Sequence, residues 1–161
     1  MSRMTEVRTN GEVEIRAVDV RCDDAQHLIA ELSDTLRGIT GHSAASGFIA
    51  EDVLQPRSVF LVAYIGDRPM GCAGLRPMTA TIAEIKRVFA YPNHSGVASR
   101  LIEALEQYAA GFGYDAVQLE TRRTNPHAVD FYLRHGYAIC DQYGKYIGRE
   151  NALCFYKRVR P

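Results

Sequence analysis

Apolar positions alternate with polar ones in some stretches of the chain and recur every three or four residues in others, and the switches between these periods mark the elements. Residues 13–18 alternate as a strand. Asp23, with Gln26 three positions on, predicts a helix start, and Leu28, Leu32 and Leu36 form one apolar stripe behind it. Gly, Thr, His and Ser then dominate residues 38–47, which predicts a polar loop, and a short helix is expected over 48–54, before Pro56. Two runs of β-formers, 58–65 and 70–76, flank the turn signal Gly66-Asp67 and read as a hairpin. Residues 81–91 form a further strand, stopped by Pro92. Val97, Leu101, Leu105, Tyr108 and Phe112 carry the strongest helical period in the chain, with Gly111 and Gly113 as its stop. A strand over 116–121, a short helix opened by Asn125-Pro126 and closed by Gly136, and strands over 137–142 and 152–159 follow. The order β-α-α-β-β-β-α-β-α-β-β, hairpin strands and then a β-α-β unit, predicts an α/β fold: a mixed, mostly antiparallel sheet with helices on both faces.

At 161 residues the chain has the size of one domain and can bury a core without disulfides or a structural metal. Its 19 Lys and Arg balance 19 Asp and Glu, so it lacks the broad positive field that a nucleic-acid or anionic-membrane partner calls for. A hydrophobic share of 47% excludes a disordered chain. No apolar run approaches the roughly 20 residues of a membrane-spanning helix, and residues 1–14 lack the apolar core of a secretory leader. Cys22, Cys72, Cys140 and Cys154 lie far apart with no Cys-x-x-Cys pair, which predicts reduced thiols at apolar positions and a cytoplasmic location. His27, His42, His94, His127 and His135 show no ligand spacing, so no metal is expected.

Candidate chemistry concentrates at the junction Pro92-Asn93-His94-Ser95-Gly96-Val97-Ala98-Ser99, where a strand meets the strongest helix. A helix start carries unpaired N–H groups and about half a positive charge, which suits phosphate. Gly96 and Ala98 are small enough to let an anion reach the backbone, and Ser99 adds a hydroxyl. Taken alone, the same residues also describe a plain helix capped by Asn93 or Ser95.

Between residues 83 and 137 several motifs follow one another in order. They are Ala83-Glu84-Ile85-Lys86-Arg87-Val88, Asn93-x-x-Gly96-x-Ala98, Leu119-Glu120-Thr121, and Asn125-x-x-Ala128-x-x-Phe131-Tyr132-x-x-x-Gly136-Tyr137. Together they resemble the central signature of the Gcn5-related N-acetyltransferase (GNAT) superfamily, and the element order over the whole chain fits that fold. Asn93 stands where the family carries Gln or Arg, His94 where it usually carries Gly, and the loop from Pro92 to Gly96 is shorter than usual.

The resemblance implies a single GNAT-like domain that moves an acetyl group from acetyl-CoA to an amine. By the same likeness, backbone groups of Val88, Phe89 and Ala90 would hold the pantetheine arm and polarise the thioester oxygen. His94, Ser95, Gly96, Val97, Ala98 and Ser99 would grip the diphosphate. Asn125 and Arg134 would add contacts, though Asn125 also fits a helix cap and Arg134 an exposed helix position. Tyr132 matches the family's tyrosine near the sulfur and is the candidate general acid; as a residue it fits a core aromatic equally. Glu84 matches the acidic strand position that accepts the amine proton, and as a residue it fits an ion pair with Lys86 or Arg87. Glu120 is the weaker candidate for that base. Alternation places Glu84, Lys86 and Val88 on one face and Ile85, Arg87 and Phe89 on the other. Arg37, Thr40 and Ser43 in a lid, with Arg76, and Tyr143 and Tyr146 beside Lys145 in a wall, are the candidate acceptor contacts. The expected partners are acetyl-CoA and a small or amino-acid-like amine, with no nucleic acid and no membrane. Transfer to a protein or peptide amine, a non-catalytic acetyl-CoA sensor, and assembly as a homodimer stay open.

Overall fold

The structure, a computed structural model, describes residues 12–40, 50–92 and 96–160. Its strands are β1 (Val13–Ala17), β2 (Val59–Ile65), β3 (Arg68–Pro77), β4 (Ile82–Ala90), β5 (Ala116–Arg122), β6 (Ala138–Cys140) and β7 (Ala152–Arg158). They form one sheet in the spatial order β1-β2-β3-β4-β5-β7-β6. β1 to β4 run as an antiparallel meander, β4 and β5 lie parallel, and β5, β7 and β6 are antiparallel again. The helices are α1 (Asp23–Thr40), α2 (Val97–Gly111) and α3 (Pro126–Arg134). The mixed, mostly antiparallel sheet expected from the sequence is the sheet observed.

Two expectations need correcting. Of the short helix expected over 48–54, the described residues form a 3-10 turn, Ala50–Val53; Pro56, three positions on, disfavours the α region for Gln55 before it. Helix α1 in turn runs through Gly38 to Thr40, into the stretch expected to be loop. The rest of that loop, including Ser43, lies outside the described residues.

Helices cover both faces, so the central strands are buried on both sides. On one face Leu61, Ala73, Ile85, Val117 and Phe155 pack against α2, which contributes Val97, Leu101, Ile102, Leu105 and Ala109. On the other, Phe60, Val62, Cys72 and Phe89 pack against Ala25, Leu28 and Leu32 of α1. Each such Leu or Phe stabilises the fold by about 1.5–3 kcal/mol relative to exposure. The α2 stripe departs from the expected one at its end: Ala109 is buried and Tyr108 is 38% exposed, stacked on Phe112 at the rim. Both α2 and α3 stop in the same way. Gly113 and Gly136 are left-handed, and the pairs Gly113 N–H to Ala110 and Tyr114 N–H to Ala109, then Gly136 N–H to Leu133 and Tyr137 N–H to Tyr132, close each last turn.

Strand β4 breaks its own alternation. Cys72 opposes Phe89 and Gly74 opposes Lys86, so β4 spends one more residue than β3 between those pairs. Arg87 sits in this bulge at φ 59, a left-handed conformation that costs a non-glycine residue roughly 1–2 kcal/mol. The bulge corrects the expected faces. Val88 joins Ile85 against the α2 side, while Phe89 packs with the α1 side.

Candidate active site

β4 and β5 pair only at Ile82–Ala116, Ala83–Val117 and Glu84–Gln118. Beyond Glu84 they part, and two cavities occupy the opening. The larger, about 820 Å³, is lined by Val88, Phe89, Ala90, Gly96, Ala98, Ser99, His127 and Phe131, with Leu32 and Leu36 of α1. The smaller, about 190 Å³, is lined by Lys86, Arg87, Glu120, Thr121, Arg122, Lys145, Tyr146 and Arg149. Val88, Leu32, Leu36, Asn125, Ala128 and Tyr132 line both. The cavities therefore meet at the fork between the strands, with Tyr132 on their shared wall.

Most of the expected cofactor residues converge on the larger cavity. Val88, Phe89 and Ala90 arrive there along the freed edge of β4. Gly96 is the N-cap of α2, at φ 90, and a Cβ added to it would meet nothing within 4 Å. A cap residue without a side chain leaves the first N–H groups of the helix to other acceptors. Such a mouth, opening on a roomy cleft beside Ala98 and Ser99, fits the diphosphate and pantetheine of a coenzyme A. Val97 departs from the expected set, since its side chain is fully buried in the core and only its backbone stands at the mouth. His94 and Ser95 lie outside the described residues.

Ser99 has a partner that the sequence did not suggest. Its Oγ lies 2.8 Å from Nε2 of His135, whose Nδ1 lies 2.8 Å from the Phe131 carbonyl. That carbonyl only accepts, so in the neutral ring Nδ1 carries the proton and Nε2 accepts the one on Ser99. Asn125 caps α3, its Oδ1 accepting from the Ala128 N–H at 3.3 Å, and it also lines both cavities. Arg134 lines neither and pairs with Asp130 one turn back.

Tyr132 is 7% exposed and packed against Phe131, Tyr137 and Phe155. Burial pushes its hydroxyl well above the ordinary tyrosine range, so it stays protonated through alkaline pH. Glu84 is 2% exposed and lines neither cavity. Its Oε1 accepts from Arg76 Nε and its Oε2 from the Tyr143 hydroxyl, both at 2.8 Å. Arg76 also reaches Asp52 at 3.4 Å. Tyr143 and Tyr146 are pushed upward by burial and then by the neighbouring Glu84 charge. Among the remaining acceptor candidates, Tyr146 lines the smaller cavity, Arg37 pairs with Asp34 on the exposed side of α1, and the side chain of Thr40 lies outside the described residues.

Several residues of the smaller cavity were not singled out by sequence as site residues, and Glu120 was named only as the weaker base candidate. Lys86 lies on its wall with Nζ 3.3 Å from the Tyr146 hydroxyl, and burial pushes its ammonium down to about 8. Glu120 also faces the cavity, its carboxyl raised by burial. Glu120 and Arg122 line the cavity from the end of β5, together with Leu119 and Thr121, whereas Val117 lies in the core. No signal in the sequence marked Arg149, which reaches the cavity from the turn after β6. Among the described residues no group of three or more His, Cys, Asp or Glu is placed to hold a metal, and no helix is long and apolar enough to cross a membrane.

A forked parallel pair, a small-residue helix mouth beside it and a buried tyrosine at the fork are the features that the sequence resemblance implied for an acyl-CoA site. The model of the acetyltransferase (GNAT) family matches residues 22–137. The chain belongs to this family of acetyl-transferring enzymes. Among solved structures, the candidate acyl-CoA N-acyltransferase of Klebsiella pneumoniae is 22% identical with a TM-score of 0.76, over 93% of this chain and 99% of that one. The PaiA N-acetyltransferase of Thermoplasma acidophilum, in complex with coenzyme A, is 18% identical with a TM-score of 0.71, over 91% and 99%. The aminoglycoside 6'-N-acetyltransferase of Enterococcus faecium is 20% identical with a TM-score of 0.65, over 92% and 98%. At these identities the likeness is one of fold.

Proposed function

We propose that the protein is an acyl-CoA-dependent N-acetyltransferase that acetylates the amine of a small molecule, working in the cytoplasm where its thiols stay reduced. The observation that carries this reading is the position of Tyr132 on the wall shared by both cavities, at the point where β4 and β5 part. Acetyl-CoA supplies an activated acyl group when bound in the larger cavity, and the acceptor enters from the smaller one. Backbone N–H groups of Val97, Ala98 and Ser99 at the α2 mouth hold the diphosphate. Backbone groups of Val88 to Ala90 orient the pantetheine and meet the negative charge that develops on the thioester oxygen. The amine nitrogen bonds to the acyl carbon as the carbon–sulfur bond breaks. Tyr132 gives its proton to the departing sulfur and regains one from the nitrogen.

The other proton of the incoming ammonium needs an acceptor facing the acceptor cavity. Glu120 stands there, and its raised carboxyl is better matched to an amine than an ordinary one. Glu84, with an oxygen given to Arg76 and another to Tyr143, is better described as a positioning residue that fixes the wall behind Lys86 and Tyr146. The demand on any base is modest for an α-amine, about a tenth of which is neutral at pH 7, and much greater for a lysine side chain.

CoA release measured over amino acids, polyamines, aminoglycosides and short peptides tests the reading. Turnover with a small amine is expected, and Tyr132→Phe should lower kcat by about 100-fold or more while acetyl-CoA still raises the melting temperature. Acetyl-CoA binding without turnover on any amine would point to a sensor, and turnover indifferent to Tyr132→Phe would remove its role as acid.

A further inference from the structure

The smaller cavity has a charge of its own. Its walls carry Lys86, Arg87, Arg122, Lys145 and Arg149 against one carboxylate, Glu120, in a chain whose 19 cations and 19 anions balance overall. Among the described residues, two further carboxylates are engaged elsewhere: Glu84 with Arg76 and Tyr143, and Asp52 with Arg76. Arg122 lies 3.8 Å from Glu120 on β5, and Lys145 and Arg149 add two more cations to the wall. These two reach the cavity from one turn between β6 and β7, and that turn is built. Gln142 Nε2 donates to the carbonyls of Arg149 (2.7 Å) and Ala152 (3.0 Å), and its Oε1 accepts from the Gly148 N–H at 2.8 Å. The cavity, about 190 Å³, is smaller than the roughly 300–1,000 Å³ of pockets for drug-sized ligands.

From this arrangement we infer that the acceptor is a small amine that also carries an anionic group, a carboxylate or a phosphate, anchored by Lys145 and Arg149 while its ammonium faces Glu120. The inference rests on the acetyltransferase reading and narrows it. A polycation such as a polyamine or an aminoglycoside would bring like charges against this wall. An anionic amine satisfies both ends of the cavity: guanidinium and ammonium groups match carboxylate or phosphate oxygens, and the single carboxylate receives the ammonium. The larger cavity, with the α2 mouth, serves the phosphates of the donor, so the basic wall beyond Tyr132 remains for the acceptor.

The test pairs each anionic amine with its neutral counterpart. Aspartate, glutamate and phenylalanine are set against their α-amides, O-phosphoethanolamine against ethanolamine, with spermidine and kanamycin as polycations. CoA release gives kcat/KM, and calorimetry gives binding of the same amines to the CoA-saturated protein whether or not they turn over. One class of anionic amine is expected to exceed its neutral counterpart by about tenfold or more, and the carboxylate and phosphate arms say which. In the Lys145→Gln/Arg149→Gln double variant, both positions being exposed on a turn, that preference should collapse with the CoA Kd unchanged. Arg68→Ala, at the β2–β3 turn and lining neither cavity, should leave the preference intact. Acetylation with no preference for anionic amines, or a preference for polycations, overturns the inference and leaves the enzyme reading standing. A double variant that weakens CoA binding overturns it too, since those residues would then hold the donor. Anionic amines that bind through Lys145 and Arg149 but are never acetylated would keep the inference and remove the enzyme reading; no binding of any anionic amine removes the inference.

Discussion

Lys86 shows how one residue type changes meaning with its surroundings. In the sequence it is one of several cations near Glu84, a solvated partner by default. In the fold it is half-buried, and burial pushes its ammonium down to about 8, against the opposing pull of Glu84 and with further lowering from Lys145, Arg76 and Arg87. The unfolded chain keeps the ordinary value of 10.5. Between those two values the unfolded chain holds a proton that the native state has released, so stability rises with pH across that window, and the cost of Lys86 is greatest below it. Lys86→Met is therefore expected to be more stable than the parent at about pH 7, with the advantage shrinking toward about pH 10. Urea midpoints of the two proteins at several pH values check this; parallel profiles would mean that burial does not depress this lysine. Glu84 makes the complementary point. Its place in an acidic strand motif was legible, whereas its seal was not, because Tyr143 lies 59 residues away in sequence.

At the scale of elements, the period of the apolar positions, together with turn and cap residues, located the strands and helices of the described residues to within a few residues, since burying one face forces that period. What it missed are the places where one residue interrupts the pattern. The bulge at Arg87 reverses the faces of β4, and nothing in the local sequence marks it, because a glycine would be the expected occupant of that conformation. The packing of β3 against α2 is likewise decided at one position. A Cβ added at Gly71 would stand 2.6 Å from the Phe89 carbonyl oxygen and 2.9 Å from Val97, with Leu101 behind. Gly71→Ala must therefore push β4 or α2 outward, at a cost of about 1–3 kcal/mol or more. Because Phe89 lines the proposed donor cleft and Val97 opens the helix at its mouth, the same variant is expected to weaken acetyl-CoA binding as well. Denaturant unfolding reads the first effect and a CoA titration the second; a variant of parental stability would show that the helix adjusts freely.

Across the whole molecule the sheet is two antiparallel halves, β1 to β4 and β5-β7-β6, joined by the short parallel register from Ile82–Ala116 to Glu84–Gln118. The remainder of that seam is the opening where both cavities lie, so the candidate site sits where only three residue pairs join the two halves of the sheet. A donor that binds across the fork should stabilise the folded state by about 2.7 kcal/mol at 100 times its Kd. Hydrogen exchange should slow at the freed edge of β4, from Val88 to Ala90, and at the start of α2. A thermal shift with no added protection at these amides would place the donor elsewhere.

By itself the sequence determined the element order, the mixed sheet, the family signature and the run of residues proposed to meet the donor, because periodicity, turn residues and a helix start are all local. Only the tertiary structure decided how the proposed acceptor side is built. Lys86 and Glu120 come from neighbouring strands, while Lys145, Tyr146 and Arg149 come from a turn near the end of the chain. These contacts join residues far apart in sequence, and their charge becomes one field only when the sheet brings β4 and β5 together and then lets them part.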